Sequence, residues 1–457
     1  MIRSLFLIAA VVLILFVFVF DVRLPSIILQ LIGVGGAIFY LRCLATDNKF
    51  YILAITLLYL PMAKIAPFAV AKGVNLTNIL VLSLFYRYYL TSPEGRLNGD
   101  RRMRNIVYLI FVFIIIGLVQ GLIRAYSPSK AELFTYTVEL VVPWLLYLGL
   151  TGCFSSLQDV RHALFFSWCG STLSILNGFN EYREKRWASS IEKSRVNGPL
   201  QQPNMYGAFI ASLLPVMFAF MLFFGGRLRM ALLVVMLLAV KVMIGTFSRG
   251  AYLSFGAAIL TQLYFKGKIF FVTSLLIGGM ALFFFPEIIP ESVTTRLFGH
   301  TFQGGDVSLT DTDNIDRSAA NRLILWEAAG AMIKESPIFG KGLLSFPNIV
   351  THYLSDESVP ERDTHNMFMK IMVYMGIPAL LAYLYFFWRT CQNAYHILKN
   401  AVDPLRKSIA LGAIGMCVSL LVSSMFGSRL ENTEMLCYFM TCSAIISFLS
   451  QHPELSE

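Results

Sequence analysis

Three arginines and a histidine are the residues of this sequence best suited to chemistry. Arg195, Arg249 and Arg322 lie in polar segments between apolar runs, and His365 follows Asp363 by two positions at the start of another run. A guanidinium binds phosphate oxygens through two parallel hydrogen bonds. A neutral imidazole can accept a proton from a hydroxyl near pH 7. These residue types predict chemistry on a phosphate-containing substrate, with His365 as the general base.

The same residues also have interpretations without chemistry. Arg249 and His365 could simply occupy the membrane interface. Trp326 follows Arg322 by one helical turn, so its ring could stack on a sugar or anchor a helix at the interface. In the first turn of a helix, the dipole would keep the His365 ring neutral, as a general base requires. Asp363 would either oppose this effect or orient the ring.

Three further charged residues lie within apolar runs. Lys241 and Lys370 are about one to two turns from one end of their runs, and Glu139 is about two turns into its own. A charge at such depth is costly unless it faces a cavity or a partner. The lysines could also extend to the interface. Glu139 is a reserve candidate for acid–base work, or a partner for one of the basic residues.

The elements that carry these residues are predicted to be membrane-spanning helices. The chain of 457 residues is 56% hydrophobic and only 14% charged, which is too little polar surface for a soluble protein of this length. Its apolar runs are solid rather than alternating, which favours helices over a barrel. We expect an all-α polytopic membrane protein of about 12–14 transmembrane helices, with one large extracytoplasmic loop containing amphipathic helices. About fourteen span cores are predicted, at 4–20, 25–44, 50–66, 73–90, 105–124, 132–150, 160–177, 203–224, 229–247, 250–265, 268–285, 364–388, 407–427 and 433–450.

The distribution of basic residues predicts the orientation. The net charge of +10 is better explained by basic cytoplasmic loops than by nucleic-acid binding. With both termini in the cytoplasm, four short basic segments fall on the cytoplasmic side. These are 87–104, 225–229, 266–268 and 389–407. The segments 178–202 and 286–363 are then outside, together with the arginines and histidine described above.

Spans and loops divide the chain into four predicted parts. They are an N-terminal transmembrane bundle at 1–177, helices with the arginine motifs at 178–285, the large outer loop at 286–363, and C-terminal helices at 364–457. In the loop, residues 318–335 have the periodicity of an amphipathic helix with Ser318 as its N-cap. Its predicted face consists of Leu323, Ala328, Ala331 and Met332.

Several other chemistries are not indicated. The sequence has no GxxxxGK[ST] phosphate loop and no HExxH zinc motif. The acidic run Asp311, Asp313 and Asp316 departs from a calcium loop, because its sixth position is not glycine. The seven cysteines lie in apolar runs or in loops assigned to the cytoplasm, so no disulfide framework is expected. We predict neither a metal nor a cofactor.

Five short motifs follow one another between residues 190 and 390. They are Arg195-Val-Asn-Gly-Pro-Leu-Gln-Gln-Pro-Asn204, Thr246-Phe-Ser-Arg-Gly250, Arg322 with Trp326, Pro337-Ile-Phe-Gly-Lys-Gly342, and His365-Asn366 followed by Gly376-Ile-Pro378. In this order they resemble the O-antigen ligase and polymerase superfamily. The N-terminal six or seven predicted spans resemble that family only in being hydrophobic.

The resemblance implies a metal-independent, inverting glycosyltransferase that faces the periplasm from a bacterial inner membrane. Its donor would be a glycan on undecaprenyl pyrophosphate, and its acceptor a hydroxyl of a glycan, a lipid core or a protein. Membrane lipids are the other expected partners, and nucleic acid is not expected. His365 matches the family's proposed base, and Arg195 and Arg249 match arginines associated with the donor. The predicted substrate-binding residues are Arg195, Arg249, Arg322, Trp326 and Asn366.

Alternative functions remain open at this point. Polymerase and ligase fit the motifs equally, and the number of spans exceeds what is typical of O-antigen ligases. A transporter or flippase for lipid-linked glycans would use Glu139, Lys241 and the arginines, but the sequence shows no inverted repeat. A membrane scaffold would leave the arginines and the histidine unexplained. The transferase requires Arg195, Arg249, Arg322 and His365 to converge on one outer cavity.

Overall fold

The computed structural model describes residues 26–65, 69–71, 74–124, 129–188, 191–284, 317–354 and 363–454. The predicted first span at 4–20 and the acidic run at 311–316 lie outside the described residues. The helices are α1 (Ser26–Ala45), α2 (Lys49–Tyr59), α3 (Leu76–Phe85), α4 (Arg101–Ile123), α5 (Lys130–Cys153), α6 (Leu157–Lys185), α7 (Ile191–Ser194), α8 (Pro203–Phe223), α9 (Gly226–Gly245), α10 (Arg249–Lys266), α11 (Lys268–Phe284), α12 (Arg317–Glu335), α13 (Ser345–Ile349), α14 (Met367–Met375), α15 (Ile377–Asn400), α16 (Pro404–Ser424) and α17 (Thr433–Gln451).

The predicted polytopic helical fold is confirmed. In the described parts of the chain, six helices are long and apolar enough to cross a membrane, namely α4, α5, α8, α9, α16 and α17. The other predicted spans with described cores also coincide with helices, some of them shorter or more polar. Strands are confined, among the described residues, to the antiparallel pair β1 (Ala69–Ala71) and β2 (Val74–Asn75).

The predicted continuous span at 364–388 is wrong, because the chain forms two helices there. α14 ends and α15 begins at Gly376, whose φ of +87° is a left-handed conformation that favours glycine. Pro378 lies in the first turn of α15, where its missing N–H is tolerated. The apolar run therefore continues in sequence while the helix itself is interrupted.

The break in the helix is filled by the motif Pro337–Gly342. The amides of Lys341 and Gly342 donate to the carbonyls of Val373 (2.6 Å) and Tyr374 (3.1 Å), which face the break. In return, the Pro337 carbonyl accepts the Ile377 amide at 2.7 Å. These bonds satisfy backbone groups that a helix end would otherwise leave unpaired inside the protein.

The amphipathic helix of the large loop forms as α12, with two differences from the prediction. It begins at Arg317 rather than with Ser318 as a cap. Its buried face consists of Leu325, Ala328, Ala329 and Met332. Leu323, predicted to be on that face, is 43% exposed, because the contact with α14 follows the i, i+3, i+4, i+7 series from Leu325.

The C-terminal helices complete the core of the preceding segment. α16 packs against α8 and α10, and α17 packs against α5. Gln262 of α10 donates to the carbonyls of Pro215 in α8 (2.7 Å) and Leu411 in α16 (3.0 Å), which joins three helices. The four-part division of the chain stays a prediction of organisation, since these parts share one core.

Candidate active site

Arg195 joins the first two motifs. Its Nε donates to the Thr246 carbonyl at 3.1 Å, and its Nη2 donates to Asn204 Oδ1 at 2.6 Å. The Val196 amide adds a bond to the Gly245 carbonyl at 2.9 Å. The loop after α6 is thereby fixed to the start of α8 and to the end of α9. Segments that are 51 residues apart in sequence meet at one end of the helices.

Glu181 holds the loop that carries Arg195. Its carboxylate accepts the amides of Asn197 (3.1 Å) and Gly198 (2.7 Å) and the ammonium of Lys185 (2.6 Å). Gly198 has a φ of +55° and packs directly against the ring of Tyr206, so no side chain fits there. The glycine of the Arg195 motif is therefore explained by backbone geometry.

Arg249 is the first residue of α10 and is half-buried. The turn before it includes Phe247 with a φ of +52°, which reverses the chain after α9 as the sequence predicts. A Cβ added at Gly250 would lie 3.0 Å from Phe426. The start of α10 is therefore packed against the segment that follows α16, at the end of the bundle where Arg195 lies.

The sequence predicts that His365 lies in the first turn of a helix. This prediction is wrong. His365 has a φ of +48°, and α14 begins two residues later at Met367. Asn366 caps α14, since its Oδ1 accepts the amides of Phe368 (3.0 Å) and Met369 (3.3 Å). The left-handed turn places His365 ahead of the cap, where the helix dipole acts on its ring less than expected.

The loop that carries His365 is held from two sides. Trp326 Nε1 donates to the Thr364 carbonyl at 2.8 Å, which joins α12 to this loop. Asp363 Oδ2 lies 3.6 Å from His365 Nδ1, close enough to orient the ring or to pair with its protonated form. The structure thus gives Trp326 a positioning contact, in addition to the sugar stacking or interfacial anchoring that its type suggests.

Lys370 is buried in an ion-pair cluster and does not extend to the interface. Its Nζ lies 2.7 Å from Asp363 Oδ1 and 2.7 Å from Glu431 Oε2. Ser428 accepts from Lys370 at 3.3 Å and donates to Asp363 at 3.0 Å. Burial favours neutral Asp363, but Lys370 and Ser428 together hold the pKa of this carboxyl below its ordinary value. Asp363 is therefore a stable carboxylate beside His365.

Arg322 and Arg429 bring further positive charge to this cluster. Arg322, in α12, is half-buried, and Arg429 is almost fully buried in the 3-10 turn Arg429–Glu431 between α16 and α17. Arg429 Nη1 contacts Met205 Sδ at 3.3 Å, next to the Asn204 that binds Arg195. Burial and the nearby Arg322 guanidinium lower the pKa of Arg429 to about 10.

The predicted residues are therefore distributed around one end of the bundle. Asn204 and Met205 link the Arg195 loop to Arg429, and Arg429 interacts with both Arg322 and Asp363. Of the charged residues within spans, Lys241 is exposed beside the Tyr182 ring at 5.7 Å, and Glu139 is exposed on α5. The sequence does not single out Arg429, Glu431 and Ser428. These lie in a short turn that shows no motif.

Residues 234–384, from α9 to α15, match the family model described as O-antigen ligase. This match supports the predicted O-antigen ligase and polymerase superfamily. The O-antigen ligase segment includes Arg249, Arg322, Trp326 and His365, whereas Arg195 and Arg429 lie outside it. Its family supports a glycan ligase or polymerase activity in general. No curated protein sequence matches the chain.

The cluster is suited to binding an anion rather than a metal ion. Within the part of the chain that the structure describes, no group of three or more His, Cys, Asp or Glu side chains is arranged to hold a metal. Its carboxylates at Asp363 and Glu431 are bound to Lys370. The guanidiniums and the imidazole are the groups of this cluster whose chemistry suits an anionic substrate.

Proposed function

We propose that the protein transfers a glycan from undecaprenyl pyrophosphate to an acceptor hydroxyl at the outer face of a bacterial inner membrane. The observation that carries this proposal is the common position of the arginine motifs and the His365–Asp363 pair at one end of a membrane-helix bundle. The superfamily of residues 234–384 adds independent support for glycan transfer.

In this reaction, the arginines stabilise the lipid pyrophosphate as it leaves the donor. When the anomeric C–O bond breaks, negative charge develops on the pyrophosphate oxygens. Arg195 is held in place by two hydrogen bonds, and Arg249 is fixed at the start of α10. Cations that are positioned before the reaction stabilise this charge without reorganisation, and the planar guanidinium fits two phosphate oxygens at once.

In this reaction, His365 activates the hydroxyl of the acceptor. A neutral imidazole takes the proton of the acceptor hydroxyl as its oxygen attacks the anomeric carbon. Asp363 orients the ring and stabilises the imidazolium that forms, because it stays ionised through Lys370. One displacement on the face opposite the pyrophosphate inverts the anomeric configuration, and no metal takes part. The acceptor decides whether the outcome is polymerisation or ligation.

A transporter or flippase is less well supported by the same structure. That alternative uses Glu139, Lys241 and the arginines for ion coupling or substrate passage. Glu139 and Lys241 are exposed side chains on two different helices, whereas the buried charges gather near His365. The polar groups instead gather at one end of the helices, whereas a transport site is expected near the middle of the membrane.

The proposal is tested by complementation of a strain that lacks the gene. Surface glycan and lipid-linked precursor are compared for the wild type, Arg249→Ala and His365→Ala at equal membrane abundance. We expect both variants to lose long glycan and to accumulate precursor, with transfer lowered by about 100-fold or more. The residual band, a single repeat or a bare core, separates polymerase from ligase.

Matched control substitutions show whether a loss of glycan is specific to the site or follows from the loss of any basic residue. Arg229 lies in the turn at the opposite end of α9 and donates to the Phe224 carbonyl at 2.9 Å, and His396 is exposed on α15. Arg229→Ala and His396→Ala should restore wild-type glycan. Wild-type glycan from Arg249→Ala and His365→Ala would reject the transferase.

A further inference from the structure

The turn between α16 and α17 contains an arginine that the mechanism above does not use. Arg429 lies in the 3-10 turn Arg429–Glu431, and only 4% of its surface is exposed. A buried guanidinium destabilises a protein unless hydrogen-bond acceptors and opposite charge compensate it. Arg429 lacks adequate compensation on both counts.

The hydrogen bonds of Arg429 are incomplete. Its Nη1 donates to Met205 Sδ at 3.3 Å, and a thioether is a weak acceptor. Its buried Nε hydrogen has no acceptor among the residues that the structure describes. Leaving a buried donor of a charged group unsatisfied destabilises the folded protein, because the donor loses its hydrogen bond to water and gains none in return. An anion with several oxygen atoms would supply the missing acceptors.

The carboxylates near Arg429 are shared with another cation. Burial, and to a smaller extent repulsion from Arg322, lower the pKa of Arg429 to about 10. Asp363 attracts it, but both Asp363 and Glu431 are bound to Lys370 at 2.7 Å. The carboxylates nearest to Arg429 are thus already paired with another cation, so they compensate its charge only in part.

We propose that Arg429, together with Arg322, binds a phosphate group. The ligand is a pyrophosphate, either the head group of a lipid-linked glycan or the free inorganic ion. Guanidiniums that repel each other without a ligand both gain when an anion lies between them. The lipid-linked form rests on the proposed function and makes Arg429 an additional donor contact.

The proposal predicts an unusual effect on stability. If Arg429 serves the ligand rather than the fold, its charge is a liability in the ligand-free protein. Replacing it with a neutral residue of similar size should then leave stability unchanged or raise it. Arg406 provides the contrast, because it is 8% exposed and donates to the carbonyls of Pro453 (3.0 Å) and His452 (3.3 Å).

The experiment measures thermal unfolding and binding of the full-length protein in lipid nanodiscs. Undecaprenyl pyrophosphate, inorganic pyrophosphate and undecaprenol are added separately to the wild type, Arg429→Gln, Arg429→Lys and Arg406→Gln. We expect Arg429→Gln to unfold at or above the wild-type temperature without ligand, and to bind the pyrophosphate ligand at least about tenfold more weakly. Arg429→Lys should be intermediate. Arg406→Gln should unfold earlier and show an unchanged shift with ligand.

The outcomes separate this proposal from the proposed function. Loss of stability in ligand-free Arg429→Gln, or wild-type affinity in that variant, overturns the role of Arg429 and leaves the transferase standing. Binding of inorganic pyrophosphate alone supports the phosphate site and assigns it to the free ion. Equal binding of undecaprenol and undecaprenyl pyrophosphate overturns the site, because the pyrophosphate would contribute nothing. Ligand binding that depends on Arg429, without glycan transfer in cells, supports the site and rejects the transferase.

Discussion

Lys370 acts on the proposed base through Asp363. Its ammonium is shared by Asp363 and Glu431 at 2.7 Å each, and Tyr136 of α5 donates its hydroxyl hydrogen to Glu431. Asp363 in turn lies 3.6 Å from His365. Lys370 is therefore a positioning residue, because it keeps Asp363 charged and in place without contacting the reacting groups itself.

Removing the ammonium of Lys370 should destabilise the protein strongly. Lys370→Met leaves Asp363 and Glu431 beside each other without their shared cation, and breaking a buried ion pair costs about 3–5 kcal/mol. Thermal unfolding in nanodiscs measures the effect. Lys241→Met is the control, since Lys241 is exposed on α9, and it should change stability by less than about 0.5 kcal/mol. Equal effects of the two substitutions would show that the cluster does not stabilise the fold.

The sequence reveals some of these residues and conceals others for a physical reason. Arg249 and His365 lie in motifs, so their positions could be predicted. Arg429 and Glu431 occupy a short polar turn that looks like any solvated connection. Only the packing of α16 and α17 shows that Arg429 is 4% exposed and that Glu431 meets Lys370.

At the scale of elements, predicted helices agree with the structure where one apolar run makes one helix. The run at 364–388 stays apolar on both sides of Gly376, so periodicity alone does not show the break, although Gly376 and Pro378 are residue types that end and begin helices. The break depends on Lys341 and Gly342, whose amides pair with carbonyls of α14 from a distant part of the chain. Such contacts between remote segments are invisible to local patterns.

The break itself can be tested with one added methyl group. Gly376→Ala places a Cβ against the Ile338 carbonyl in a backbone with φ of +87°. The strained conformation alone costs about 1–3 kcal/mol, so thermal unfolding in nanodiscs should occur at a clearly lower temperature.

Gly330 provides the matched glycine control for this substitution. It lies in α12, where an added Cβ meets no atom within 4 Å. Gly330→Ala should leave stability unchanged or raise it by up to about 1 kcal/mol, because alanine favours the helix. If the Gly376→Ala protein were as stable as the Gly330→Ala protein, this result would contradict a break between α14 and α15 at Gly376.

At the scale of the whole molecule, the candidate site lies at one end of the helices and short basic connecting segments lie at the other. The ends of α9 and α16 and the starts of α8, α10, α14 and α17 lie at the end that holds the candidate site. The segments 225–229, 266–268 and 389–407 connect the opposite ends and are rich in arginine and lysine. The positive-inside rule therefore predicts that the site lies outside the cytoplasm.

Cysteine labelling in spheroplasts tests this orientation. Trp187 follows α6 near the site and is 81% exposed, and Val402 connects α15 to α16 and is 90% exposed. Trp187→Cys should react with a membrane-impermeant maleimide in intact spheroplasts, and Val402→Cys only after permeabilisation. The unsubstituted chain, with its seven native cysteines, gives the background. The reverse labelling pattern would place the site on the cytoplasmic side.

The most direct test is glycan transfer by the purified protein in nanodiscs. Undecaprenyl-pyrophosphate-linked glycan and an acceptor are supplied without metal, and mass spectrometry follows the new glycosidic bond and the released undecaprenyl pyrophosphate. We predict transfer by the wild type, and in His365→Ala a rate lower by about 100- to 10,000-fold with donor binding retained. Transfer by His365→Ala at the wild-type rate, or bound donor that the wild type never transfers, would contradict the account.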